Sequence, residues 1–261
     1  MYKTKIDWCD STWNPVTGCL HECPYCYARR MVKRFGKELP DASGYGVANF
    51  NERLHLLENR VEGNPYPYLF EPTFHAYRLE DPKKWTEPRT IFVCSMADLF
   101  GEWVPEEWIL DVFRAMQDAP QHRYLMLTKN PSRFSRIPEE YFRGNAEIWI
   151  GTTVTGRNDF ERLLDLSDSW KTGAKWFVSA EPLLEDISDD LADCFSAMDW
   201  VIVGAESGNR RDKVVPRREW IERIVRCCEP VGTPVFMKES VRKIMGDGFR
   251  QDFPWKKSEA V

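Results

Sequence analysis

The chain has 261 residues, 43% of them hydrophobic, with 36 lysines and arginines against 41 aspartates and glutamates and a net charge of -5. That is enough apolar material for one full core, and the acidic balance excludes a surface built throughout to neutralise phosphates, which favours small substrates over duplex DNA. The most apolar stretch, Trp200 to Ala205, is far too short to cross a bilayer and the N-terminal residues carry no apolar signal segment, so a soluble, cytoplasmic chain with eight reduced cysteines is expected.

A first strand is predicted near Thr12 to Thr17, leading into Thr17-Gly18-Cys19-Leu20-His21-Glu22-Cys23-Pro24-Tyr25-Cys26-Tyr27. The stretch from about 36 to 88, with Pro65, Pro67, Pro72, Pro82, Pro88 and many aromatics, departs from any simple period and reads as an insertion after the first helix, of a kind that can form a lid. From residue 90 onward short apolar runs alternate with helical stretches. Strands are expected at Thr90 to Ser95, Arg123 to Thr128, Glu147 to Thr153, Lys175 to Ser179, Asp199 to Gly204 and Thr233 to Lys238. Trp108, Ile109, Val112, Phe113 and Met116 follow Pro105 at helical spacing, and Trp220, Ile221, Ile224, Val225 and Cys228 do the same later. Alternating strands and helices predict an α/β fold: a partial or near-complete TIM-type barrel of six to seven parallel strands, in a single domain over residues 1–261. Cys227 and Cys228 read as packing residues.

Cys19, Cys23 and Cys26 stand at intervals of four and three, which fits an iron-sulfur cluster held by only three thiolates. A fourth iron is then open to the amino and carboxylate groups of a small molecule. The alternative is structural zinc on the same cysteines with Cys9 or His21, although zinc sites usually pair two separated clips and no second clip is present. A disulfide framework suits small secreted chains, not this one.

With Tyr25 just before the last cysteine, the loop resembles the signature of the radical S-adenosylmethionine superfamily. Trp13-Asn14-Pro15, Gly18 and Pro24-Tyr25-Cys26-Tyr27 resemble one phage- and bacteria-associated subfamily, long catalogued as a domain of unknown function, whose best-understood chemistry is that of queuine lyase. The resemblance implies a βα barrel, a 4Fe-4S cluster on Cys19, Cys23 and Cys26, S-adenosyl-L-methionine as cofactor, hydrogen abstraction by a 5'-deoxyadenosyl radical, and an external one-electron donor of flavodoxin or ferredoxin type.

In a parallel barrel the site lies at the C-terminal ends of the strands, where the chain places Ser95 to Asp98, Thr128 to Asn130, Thr153 to Asn158, Ser179 to Glu181, Gly204 to Ser207 and Lys238-Glu239. The cofactor needs an acceptor for its ammonium, a cation for its carboxylate, polar partners for its ribose and a flat wall for its adenine. The Gly-Gly-Glu type segment common in the superfamily is missing. Ser95-Met96-Ala97-Asp98 resembles instead the version of spore photoproduct lyase-like members, which implies Ser95 and Asp98 for the ammonium, Lys129 for the carboxylate and Thr153 for a ribose hydroxyl. The bland alternative has Asp98 capping a helix and Lys129 on the surface.

Glu181 and Glu206 sit where a carboxylate accepts two adjacent N–H donors, the pattern of a guanine-like base edge, and abundant Trp and Phe suit stacking. Against this, either carboxylate can pair with Lys129, Arg157 or Lys238 in a network at the barrel mouth. The queuine lyase resemblance implies a small nucleobase-like substrate and cleavage of a side-chain carbon–nitrogen bond to release 7-aminomethyl-7-deazaguanine, with Glu181, Glu206, Arg157 and Lys238 as binding candidates and Glu181 also a catalytic one. Cys94, or Cys9, can return a hydrogen atom from its S–H, although a buried cysteine is more often a small hydrophobe. Two basic groups, residues 29–37 and 210–218, support the alternative of a base within DNA or tRNA; each also reads as a plain solvated face.

Overall fold

A computed structural model describes residues 4–37, 53–187, 195 and 197–256. Seven parallel strands form a curled half-barrel: β1 Ser11–Trp13, β5 Thr90–Val93, β6 Arg123–Thr128, β7 Glu147–Thr153, β8 Lys175–Ala180, β9 Trp200–Val203 and β10 Val235–Met237, adjacent in that order. All six pairings are parallel. Parallel strands need crossovers, and helices supply most of them. Principal helices are α1 Tyr27–Phe35, α2 Glu106–Gln117, α3 Phe160–Asp168 and α4 Arg218–Cys228.

The sheet is apolar on both faces, for different reasons. Ile148, Ile150, Val178, Val201 and Val235 point outward into a core that includes Trp108, Ile109, Val112, Phe113 and Met116 of α2 and Ile221, Ile224, Val225 and Cys228 of α4. Alternate residues, Leu125, Trp149, Phe177, Trp200, Ile202 and Phe236, point inward with Trp8 into an aromatic layer. Phe92, Leu125 and Trp149 are register partners across three strands, so this layer is a row built by pairing. A half-barrel leaves its inner face open, and the two chain ends cover it: Trp8 meets Phe92 at 4.6 Å between ring centroids, Trp255 meets Trp200 at 5.0 Å, and the Trp200 indole N–H donates to Asp252 C=O at 2.9 Å. Space remains above this plug, at the strand C-termini.

The predicted strand at Thr12 to Thr17 is two strands in two sheets. Pro15 separates β1 from β2 Val16–Thr17, because proline lacks the N–H a continuing ladder needs. β2 pairs antiparallel with β4 Thr73–His75, which pairs in parallel with β3 His55–Leu57. The described part of the expected insertion therefore supplies a small sheet beside the cysteine loop; residues 38–52 of it lie outside the described residues. Among the described residues no helix is long and apolar enough to cross a membrane.

Candidate functional site

The cysteine loop is pinned at both ends. Thr17 Oγ1 meets His75 Nε2 at 2.8 Å, Gly18 N–H donates to Met96 C=O at 3.0 Å, and Cys19 N–H donates to Phe70 C=O at 3.2 Å. Gly18 has φ +84° and passes so close to Glu71 that a Cβ would lie 2.1 Å from its carbonyl oxygen, so no other residue fits without displacing backbone. After a turn closed by Cys26 N–H on Cys23 C=O, 3.1 Å, the loop enters α1 with Cys26 as N-cap, its sulfur accepting from Arg29 N–H at 3.4 Å. Arg29 also reaches back to Cys19 C=O at 3.3 Å. The N-terminus of α1 thus meets the Cys26 sulfur, while the Arg29 guanidinium, lying over the Phe70 ring at 4.9 Å, braces the loop through the Cys19 carbonyl.

Cys19, Cys23 and Cys26 are free and half-buried, and all three line one cavity of about 670 Å³. Burial pushes the Cys19 thiol up to about 12, with Asp98 and the other two cysteines adding to the effect, a cost that a bound cation removes. Among the described residues no three His, Cys, Asp or Glu side chains converge on a position for a single metal ion.

Twelve of the thirteen candidate site residues named from the sequence line this cavity: Cys19, Cys23, Cys26, Tyr25, Cys94, Ser95, Asp98, Lys129, Thr153, Glu181, Glu206 and Lys238 stand together, drawn from six strand ends and the loop. Arg157 does not join them. It is exposed, its side chain donating to Asp186 C=O at 2.9 Å.

The carboxylates differ in what they leave free. Asp98 Oδ1 accepts from Thr128 Oγ1 at 2.7 Å and Phe100 N–H at 3.0 Å, and Oδ2 from Lys129 N–H at 2.9 Å and His21 Nε2 at 2.8 Å. Burial pushes its carboxyl up, but these donors, His21 foremost, outweigh it and hold it below the usual value. With four acceptor positions engaged, Asp98 ties the cysteine loop to β6 and has no lone pair spare for a ligand ammonium. Glu206 is half engaged: Arg210 grips both oxygens at 2.8 Å, one donor on each. Glu181 has one oxygen on Lys238 Nζ at 2.5 Å and its second turned to no described partner.

Lys129 is half-buried and forms no ion pair among the described residues; its ammonium lies 5.6 Å from the Tyr25 ring centroid. Burial lowers its pKa, only partly offset by Cys23 and Asp98. Ser95 Oγ donates to Asn14 Oδ1 at 3.1 Å, and its carbonyl accepts from the Tyr27 hydroxyl. Cys94 is 2% exposed with its thiol pushed up to about 12 by burial, and Cys9 packs against the aromatic layer outside this cavity.

Asn14, Tyr27 and Met31 also line the cavity and carried no assigned role from sequence. Asn14 was legible in part: an Asn-Pro at the close of a strand marks a loop start, and its amide oxygen does gather Ser95 Oγ and Met96 N–H.

The family model described as a protein of unknown function, DUF5131, matches residues 3–245. No curated protein matches the chain. Among solved structures, spore photoproduct lyase complexed with dinucleoside spore photoproduct is 10% identical over 86% of this chain and 75% of its own, with a TM-score of 0.52. A cysteine-to-serine mutant of spore photoproduct lyase is 12% identical over 90% and 80%, with a TM-score of 0.54. At such identity the likeness is one of fold.

Proposed function

The chain belongs to the DUF5131 family of proteins of unknown function, and we propose that it is a radical S-adenosylmethionine enzyme acting on a nucleobase-like substrate. The observation that carries this is the sharing of one cavity by three half-buried thiols on a pinned loop and an ammonium, Lys129, without an ion-pair partner. Cys19, Cys23 and Cys26 would hold a 4Fe-4S cluster, which when bound supplies one-electron reductive cleavage of a sulfonium carbon–sulfur bond. The similarity in fold to spore photoproduct lyase supports the same class.

The chain's residues divide the remaining work. Lys129 takes the cofactor carboxylate, as a half-buried cation of the lining with no ion pair among the described residues. Ser95 and its neighbouring carbonyls accept from the ammonium, with Asp98 acting through the loop it holds in place. Thr153, on the cavity lining, would pair with a ribose hydroxyl. Phe70 and Phe92 on the lining supply apolar walls that exclude water. Cys94 keeps its proton at neutral pH and so retains a hydrogen atom to return.

For the substrate, Glu181 presents a free acceptor oxygen beside the Lys238 ammonium, which donates. An adjacent acceptor and donor complement the lactam N–H and carbonyl of a guanine-like ring. Glu206, held on both oxygens by Arg210, is fixed in place on the wall instead. The most specific form of the proposal is a queuine lyase that releases 7-aminomethyl-7-deazaguanine. It is tested by anaerobic reaction of the iron-loaded protein with cofactor, strong reductant and queuine: 5'-deoxyadenosine and the new base should form together. Accumulation of 5'-deoxyadenosine with no new base would remove queuine and keep the class; tetrahedral zinc and an untouched cofactor would remove both.

A further inference from the structure

Two basic segments far apart in sequence meet at the rim of the cavity. Residues 29–37 and 207–218 together hold ten lysines and arginines and one acid, Asp212, on a chain that is acidic as a whole. Arg30 Nη2 donates to Ser207 C=O at 3.0 Å, which joins the outer face of α1 to the 207–218 loop. Some of these cations are neutralised locally, Arg210 by Glu206 and Arg218 by Glu222. Six are exposed and form no ion pair among the described residues: Arg30, Lys33, Arg34, Lys37, Arg211 and Lys213. On the same helix Tyr27, Met31 and Phe35, at 39%, 40% and 52% exposure and spaced by four residues, form an apolar stripe along one side, which runs from the cavity edge, lined by Tyr27 and Met31, out to Phe35.

We propose that this rim docks a small acidic redox protein, the one-electron donor, an inference that rests on the cluster assigned above to the cysteine loop. A stripe of exposed apolar side chains bordered by unpaired cations suits a weak, electrostatically steered encounter. The helix that carries it begins at Cys26, so an electron arriving at the stripe is within a turn or two of a cluster ligand. One electron leaves the donor's flavin hydroquinone, which becomes the semiquinone, and the cluster gains it. A nucleic-acid strand fits less well. Tyr27 and Phe35 stand about 12 Å apart along the helix, too far to stack on successive bases, and a strand leaving the patch meets the acidic remainder of the chain.

The test uses anaerobically reconstituted protein and an acidic flavodoxin in its hydroquinone form, with cluster reduction followed by stopped-flow absorbance. The triple variant Lys33→Glu, Arg34→Glu, Arg211→Glu changes three exposed residues outside the cavity lining. Reduction by flavodoxin should slow by about tenfold or more at low salt, and the steep salt dependence of the unmodified protein should vanish. Reduced methyl viologen, a small cation that needs no docking surface, should reduce both proteins without loss of rate. Equal rates with flavodoxin overturn the docking assignment alone. So does salt-dependent binding of oligothymidylate that the variant loses while flavodoxin reduction persists, since the rim then serves a polynucleotide. If the unmodified protein takes up no reducible cluster, the cysteine assignment fails, and fluorescence anisotropy of labelled flavodoxin still decides the rim: binding lost in the variant supports it, and no binding to either protein overturns it.

Discussion

Lys129 is the side chain whose environment is hardest to explain by folding alone. Burial draws it below the ordinary lysine value, and the sign of that shift is informative: the unfolded chain binds the proton more tightly, so the charged residue costs stability at neutral pH and the cost fades as pH rises toward the unfolded lysine range. Lys129→Met should therefore leave the melting temperature unchanged or raise it by about 2–4 °C in differential scanning fluorimetry. In equilibrium dialysis the same variant should bind S-adenosylmethionine about 10–100-fold more weakly, the value of one charge-assisted contact. Asp98 is the converse case. Its carboxyl is held below the ordinary aspartate value, so its contribution is present above the usual aspartate range and lost as pH falls through the depressed value. Asp98→Asn should cost about 2–4 kcal/mol at neutral pH and flatten the loss of stability that urea titrations of the unmodified protein show below about pH 4.

The small sheet is the element that turns three cysteines into a site. β2 pairs with β4, and from β2 the chain turns directly into Gly18 and Cys19 while Phe70 and Glu71, just before β4, line the turn. The loop's geometry is thus set by residues more than fifty positions away in sequence. Gly18→Ala places a methyl against the Glu71 carbonyl at a backbone angle alanine rarely adopts. The variant should remain folded by far-UV circular dichroism but take up less than about half the iron of the unmodified protein on reconstitution, because strain of a few kcal/mol displaces the loop. Full iron uptake would show that the loop forms without this support.

At the scale of the whole molecule, the inner aromatic layer decides how deep the cavity is. Trp200 is fully buried, touches Trp8, Trp149, Phe177, Phe236, Phe253 and Trp255, and holds the C-terminal segment through Asp252. Trp200→Ala should destabilise by about 3–5 kcal/mol, read as a lower denaturation midpoint, with the two covering segments loosened together. Hydrogen exchange at residues 6–8 and 252–255 should rise in parallel if both segments depend on this one ring.

The strands at Arg123 and Glu147 were legible to the residue, since a run of β-branched and aromatic side chains between turn residues is a local signal that survives into the fold. The α2 stripe was equally plain. The split of Thr12 to Thr17 into two sheets was not, although Pro15 marked the break, because which sheet each half joins depends on distant partners.

Side-chain type and strand-end position identified the residues that line the cavity, since in a parallel barrel the loops converge whatever their details. Which of those residues remain available for a ligand was settled only in three dimensions. Asp98 and Glu206 look in sequence as capable as Glu181; donors from His21, Lys129, Thr128 and Phe100 fill Asp98, Arg210 takes one position on each Glu206 oxygen, and Lys238 engages only one oxygen of Glu181. Composition determines which groups can bind, but hydrogen-bond capacity is finite, and only tertiary packing decides how it is already used.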